Sequence, residues 1–172
     1  MALTLHLLRH AKSSWDDRAK SDHDRVLNAR GRRAAKTIGS FLAREGPEPV
    51  RVLCSSAART QETWERIAAK LAGDPELRIE RGLYLASAGE MLEQIRQQGG
   101  DAACLLVLAH NPGTEDLARG LAGGGDEDAW HRVRGKFPTA GLATLRFEID
   151  DWKQARTSGG ELLRFVVPRE LD

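Results

Sequence analysis

Cysteine is scarce in this chain: 172 residues contain two, Cys54 and Cys104. Both lie in apolar runs, where a free, buried thiol is expected, and nothing about them requires an oxidising compartment. No apolar stretch approaches the ~18 residues of a membrane span. The chain enters a strand pattern directly, without a signal-peptide core or cleavage site, so a cytoplasmic location is expected. Charge of one sign is lacking as well: 26 Lys and Arg against 25 Asp and Glu leave a net +1. Global electrostatics therefore favour neither a nucleic-acid nor a membrane partner, and any basic site must be local. The run Arg30-Gly31-Arg32-Arg33 reads as a solvated helix face. No His-x-x-x-His, Cys-x-x-Cys or acidic cluster has metal-ligand spacing, so neither a metal nor another cofactor is expected. The Gly-rich stretch from Gly120 to Asp128 lacks the lysine and following Ser/Thr of a P-loop and has acidic neighbours. It is expected to be a loop. Repeats, low-complexity segments and linkers are absent.

The composition, 41% hydrophobic and 30% charged, has a soluble globular balance. The length suits one domain over 1–172. Strands and helices alternate. Leu3 to Leu8 is a strand, followed by a polar loop from Ser13 to Arg25. A helix is predicted from about Asn28, a good N-cap type, to Arg44, with Ala34, Ala35, Ile38, Phe41 and Leu42 on one face. Gly46-Pro47 ends it. A strand over Val50 to Cys54 leads into a helix from about Ser56 to Leu71. Leu77 to Ile79 alternates as a short strand, and Ser87 to Gln98 is helical. The strand Ala102 to Ala109 precedes a helix capped by Thr114, with Glu115 and Asp116 in its first turn. Leu142 to Ile149 and Leu162 to Val167 alternate as two strands, expected to pair antiparallel at the sheet edge. This order predicts a three-layer α/β/α sandwich on a mostly parallel sheet with an antiparallel edge.

Three of the predicted strands stop at basic residues. The first ends at Arg9-His10-Ala11-Lys12, the second runs through Ser55-Ser56 to Arg59, and the third ends at His110-Asn111-Pro112-Gly113. Ligands of open α/β sheets bind at the carboxyl ends of the strands, so these residues define a pocket for an anion. Arg59 falls in the first turn of a helix, where a cation opposes the macrodipole; together with the free N–H groups there it favours an anion site. Arg9 follows a strand predicted to be central, and a planar guanidinium binds two phosphate oxygens at once. His10 is open to three readings from the residues alone: nucleophile, acid/base group or packed histidine. His110 carries the same ambiguity. His6 reads as a satisfied core residue, and His23 and His131 as exposed.

Several segments in order resemble the histidine phosphatase superfamily, which includes the phosphoglycerate mutases. Leu8-Arg9-His10-Ala11 resembles its arginine–histidine signature, and the continuation Lys12-Ser13-Ser14-Trp15 resembles the SixA-type phosphohistidine phosphatase branch. Leu27 to Gly31, Ser55 to Thr63, His110 to Gly113 and Phe137 to Thr139 are similar to later family blocks, although Ala109 stands where glycine is commoner. The resemblance covers about Leu3 to Phe147. It implies a phosphoglycerate mutase-like fold and a covalent mechanism. His10 would be the nucleophile. Arg9, Arg59 and His110 would surround the phosphoryl oxygens, and Asn28 would stand at the pocket edge if it is not simply a helix cap. Lys12 and Ser13 would be rim residues. A nucleophilic His10 must be neutral, which two neighbouring guanidinium groups favour, and its other ring nitrogen must donate its proton, for which a backbone carbonyl is the expected acceptor.

Many relatives of that superfamily carry a carboxylic general acid after the strand that follows the second-arginine helix. Here that region is Arg81-Gly82-Leu83-Tyr84-Leu85-Ala86-Ser87, with no acid before Glu90. Glu90 reads as a helix-start residue, and Asp16 is an equally weak substitute. This departure favours a phosphohistidine phosphatase acting on a phosphorylated protein. A phosphomonoesterase for small phosphorylated substrates is the alternative, and an inactive phosphoprotein-binding module on the same fold is a third reading, which the intact Arg9, His10, Arg59 and His110 set argues against.

Overall fold

The computed structural model describes residues 2–17 and 20–171. Seven strands form one sheet, in the order β3-β2-β4-β1-β6-β7-β5. They are β1 (Leu3–Arg9), β2 (Arg51–Ser55), β3 (Glu76–Glu80), β4 (Cys104–Ala109), β5 (Ala122–Gly125), β6 (Leu142–Phe147) and β7 (Gly160–Val166). The helices are α1 (Ala29–Glu45), α2 (Ala58–Ala68), α3 (Ala88–Gln98), α4 (Gly113–Leu121) and α5 (Glu127–Gly135). Strand β1 is central, between parallel β4 and antiparallel β6. β6 also runs against β7, and β7 is parallel to β5, so β6 is the reversed strand of the seven. The sheet is therefore mostly parallel, as the alternating pattern predicts.

Strand periodicity divides the core. Leu3, Leu5 and Leu7 of β1, Leu53 of β2 and Leu105 and Val107 of β4 point to one face, where they meet Met91, Ile95, Leu117, Leu121 and Val133 from α3, α4 and α5. Leu8, Val52, Cys54, Leu106 and Leu108 point to the other and meet Ala35, Ile38, Leu42, Trp64 and Ile67 from α1 and α2. Both faces of the central strands are covered, which is why these read as near-continuous apolar runs. Both cysteines are free and buried, and burial raises each thiol to about 12.

Four expectations need correction. The stretch from Gly120 to Asp128 is not a loop. Ala122–Gly125 pairs with β7 as the outermost strand, and the Asp126 side chain accepts from the Ala129 N–H to cap α5. The antiparallel pair β6–β7 consequently has β5 beyond it. Thr114 does not cap α4: Pro112 holds that position, while the Thr114 hydroxyl donates to the His110 carbonyl at 3.0 Å. Helix α2 ends at Ala68, and tighter turn bonds such as Lys70 N–H to the Ile67 carbonyl carry the chain onward to Leu71.

The loop after β1 is fixed from below. Asn28 caps α1, accepting from the Gly31 N–H at 2.8 Å, and its own N–H donates to the Lys12 carbonyl. A Cβ on Gly31 would lie 2.1 Å from that same carbonyl. Only glycine lets α1 approach the Arg9–Lys12 segment this closely.

Candidate active site

Arg9, His10, Arg59 and His110 converge at the carboxyl ends of β1, β2 and β4. The rings of His10 and His110 are 5.4 Å apart between centroids. His10 is 7% exposed, Arg59 3% and His110 2%. The backbone brings them together: the His10 N–H donates to the Ala109 carbonyl, and the Ala11 N–H donates to the Thr63 hydroxyl at 3.0 Å. Thr63 in turn donates to the Arg59 carbonyl at 2.7 Å, tying the loop after β1 to the first turn of α2.

The histidine tautomers follow from their partners. His10 Nδ1 lies 2.7 Å from the Ala11 carbonyl, which can only accept, so Nδ1 carries the proton and the Nε2 lone pair is left free. This is the arrangement expected of a neutral nucleophile. Burial first, then the positive charges of Arg59, Arg9 and Arg25, lower its pKa to about 4. His110 Nδ1 lies 3.3 Å from Nη2 of Arg59, a group that only donates, so in the neutral ring Nε2–H donates to the Ser55 hydroxyl at 2.7 Å. Burial and then the neighbouring His10 and Arg59 lower His110 to about 3.

Arg9 donates through Nη1 to the Phe137 carbonyl, and burial lowers its pKa. Among the described residues, Nε of Arg9 and Nε of Arg59 are buried donors without a partner. Arg164 Nε shares that condition, but its guanidinium lies elsewhere, over the Phe41 ring and bonded to the Gly46 carbonyl. A buried guanidinium N–H left unpaired is costly, and an anion that accepts it relieves that cost.

The site contains residues that the sequence reading did not single out. Asp22, in a short 3-10 turn at Asp22–Asp24, accepts from Arg59 Nη2 on Oδ2 at 3.1 Å, and its carbonyl accepts from Nη1 at 2.8 Å. The same Oδ2 accepts from the Tyr84 hydroxyl at 2.5 Å, and Oδ1 accepts from Arg25 Nε at 3.1 Å. The Tyr84 hydrogen bond, followed by the charges and donors of Arg59 and Arg25, lowers Asp22 to about 2. Asp22 is thus a carboxylate held ionised. Arg25 is itself buried, donates to Ser13 Oγ at 2.6 Å and stacks on Trp15 at 3.5 Å. His23 is not a bystander: it pairs with the Ser56 hydroxyl at 2.9 Å and packs edge-on against Tyr84.

Other candidates fall outside the cluster. Asn28 has its side-chain oxygen on the α1 cap and no hydrogen bond to the four central residues. Lys12 is exposed. Glu90 is exposed and bonded to Ser87 at the start of α3, as its helix-start reading requires. Asp16 is exposed on the loop after β1. His6 is satisfied at both ring nitrogens, by Thr144 Oγ1 and the Pro47 carbonyl, each at 2.9 Å. Among the described residues no group of three or more His, Cys, Asp or Glu side chains is placed to hold a metal.

This fold and this cluster define an α/β protein with a cationic, histidine-bearing pocket suited to an anion. The family model of the histidine phosphatase superfamily (branch 1) matches residues 5–89. An uncharacterized protein of Mycobacterium tuberculosis is 38% identical over 164 residues, covering 94% of this chain and all of the relative. A solved structure described as a candidate phosphohistidine phosphatase SixA from Nakamurella multipartitia superposes with a TM-score of 0.86 at 28% identity, covering 98% of this chain and 97% of that one. A second structure described as a candidate phosphohistidine phosphatase SixA, from Agrobacterium tumefaciens, gives 0.80 at 28% identity over 96% and 98% of the two chains. The chain belongs to the histidine phosphatase superfamily and is of the SixA type. It is accordingly a hydrolase of the phosphatase class.

Proposed function

We propose that this protein is a phosphohistidine phosphatase that works through a phosphorylated His10. The observation that carries this reading is a buried, neutral His10 with Nδ1 pinned and Nε2 free, beside two guanidinium groups that each retain an unpaired N–H. In the first step His10 Nε2 bonds to phosphorus as the bond from phosphorus to the substrate imidazole breaks, its electron pair leaving with the imidazole. In the second, water oxygen bonds to phosphorus, the Nε2–P bond breaks, and the water proton leaves with inorganic phosphate. Splitting one displacement into two is the gain of covalent catalysis. Arg9 and Arg59 supply fixed positive charge around the transferring group, where phosphoryl transfer needs it most. A bound phosphoryl dianion offsets those cations and lets His110 take a proton and donate to an oxygen.

The leaving group selects the substrate class. An alkoxide needs a proton donor, typically worth ~10²–10⁴-fold. A phosphohistidine substrate already protonated on its other ring nitrogen releases neutral imidazole and needs much less help. Asp22 is a carboxylate bonded to Arg59, and Tyr84, Arg59 and Arg25 hold it ionised, which suits it to positioning Arg59 rather than to giving up a proton. The reading extends to a cytoplasmic, metal-independent enzyme acting on a phosphorylated protein. The test is a side-by-side assay on a phosphohistidine peptide, phosphoserine and phosphotyrosine peptides, sugar phosphates and a graded series of aryl phosphates. The expected order is phosphohistidine first, then aryl phosphates with a steep dependence on leaving-group pKa, with alkyl phosphates last. Vanadate should compete with substrate and EDTA should have no effect. Efficient alkyl phosphate hydrolysis, or loss of activity with EDTA restored by a divalent metal, would defeat this reading.

A further inference from the structure

A groove of about 730 Å³ lies beside the phosphoryl site, and its rim carries six cations: Lys12, Arg30, Arg33, Lys36, Lys136 and Arg169. It is contiguous with the site through the chain. Lys12 is two residues beyond His10, and Pro138 follows Phe137, whose carbonyl accepts from Arg9. It also lies on the same carboxyl-end side of the sheet: β7 runs parallel to β1 across β6, so Val167 and Pro168, just past the end of β7, lie at the level of the end of β1. Among the described residues, no acidic side chain lines the groove. Among the described residues, none of the six cations forms a salt bridge, whereas Arg25, Arg32, Arg51, Arg59 and Arg119 are all paired. In a chain of net charge +1, this is a local concentration of uncompensated positive charge. The floor is apolar, from Ala34, Pro138, Val167 and Pro168.

We infer that this groove binds an acidic segment of the protein that carries the phosphohistidine, an inference that rests on the phosphohistidine reading above and extends it to partner recognition. The charge asks for an anionic occupant, and the apolar floor asks for side chains as well as charge. Single-stranded nucleic acid is recognised by stacking bases on aromatic rings, and among the described residues no aromatic side chain lines the groove. A membrane surface would need a protruding face rather than a concave one. The occupant is extended rather than compact. Lys36 also borders a second depression of about 230 Å³ lined by Arg44 and Lys70, so the basic track continues along α1. From Arg30 to Arg44 the helix rises roughly 20 Å, about the reach of six or seven extended residues. A phosphohistidine in the pocket with acidic residues on one flank would occupy both.

The experiment compares two phosphohistidine peptides of equal length, one flanked by Asp and Glu and one by Ser and Gly, with an aryl phosphate as the reference substrate. The variants are Arg33→Glu/Lys36→Glu and Arg169→Glu, at exposed positions away from the phosphoryl pocket. The wild type should prefer the acidic peptide at least ~10-fold in kcat/KM at low salt, a gap that screening closes near ~0.5 M salt. The double variant should abolish the preference and leave aryl phosphate turnover unchanged. An equal rate on both peptides in the wild type, or a preference that survives the double variant, overturns the inference. Should neither phosphopeptide be hydrolysed, the phosphohistidine reading fails instead. The groove is then judged by fluorescence anisotropy with the unphosphorylated acidic peptide. Binding that the double variant abolishes supports the groove; no binding, or stronger binding of an RNA oligomer or of phosphatidylserine vesicles, overturns it.

Discussion

The β1 strand and the residue that follows it carry two histidines that are alike in almost every respect except one. His6 in the middle of the strand and His10 just past its carboxyl end are both buried, and burial lowers both to about 4. His6 has a partner on each ring nitrogen, Thr144 on one and Pro47 on the other. His10 has a partner on Nδ1 alone. Burial and a depressed pKa therefore do not distinguish a structural histidine from a reactive one. The distinction lies in the unused lone pair and its neighbours. His6 sits where the paired strand β6 and the Gly46-Pro47 turn supply neutral acceptors and donors, whereas His10 sits where three strands end and guanidinium groups gather.

The sharpest way to break this comparison is to remove each ring in turn. His10→Ala should lower turnover of an aryl phosphate by at least ~10⁴-fold, the scale of deleting a nucleophile. His6→Ala should leave turnover within several-fold of wild type. Its effect should appear in urea unfolding, as a loss of about 1–3 kcal/mol for a buried Thr144 hydroxyl left without its partner and a Pro47 carbonyl left with only the weak Cys104 thiol donor. Similar activity losses in both variants would erase the distinction. Arg59→Ala comes next. It removes one buried donor beside the phosphoryl group and should lower kcat/KM by about 10²-fold, measured by steady-state kinetics with a fold check by circular dichroism.

The fold was legible because the central parallel strands β1, β2 and β4 are buried on both faces and the helices between them carry clean apolar stripes. Asn28 was readable as a cap because residue type and position agree. The strand Ala122–Gly125 was hidden because Gly123, Gly124 and Gly125 carry no side-chain pattern, and its pairing with β7 is a long-range fact. Helix α5 left a clue in Asp126-Glu127-Asp128, an N-cap followed by acids at the positive end of the dipole. The convergence of Arg9, His10, Arg59 and His110 could be anticipated because each ends, directly follows or lies close behind a strand. Asp22 could not, since it reaches Arg59 from a polar loop and meets Tyr84 across 62 positions of sequence.

Two smaller effects sharpen the account. Because His6, His10 and His110 are lowered to about 4, 4 and 3 from 6.5, the unfolded chain binds more protons than the folded one between those values. Stability should therefore rise with pH through that window and fall away in acid. The acid limb of kcat/KM, if it reports neutral His10, should lie well below 6.5; a limb centred near 6.5 would contradict the buried, cation-flanked site. Asp22→Asn keeps an acceptor for Arg59 and should lower aryl phosphate turnover by less than about fivefold, the scale of one partly exposed ion pair. A loss of ~10²-fold or more would identify Asp22 as a proton donor instead.

The central claim is that His10 Nε2 takes the phosphoryl group. Rapid quench of the enzyme with a phosphorus-labelled aryl phosphate, followed by peptide mapping under alkaline conditions, tests it most directly. The account predicts a base-stable, acid-labile label on the peptide containing His10, absent from His10→Ala. Label on any other residue, or turnover with no label at times shorter than one catalytic cycle, would contradict it.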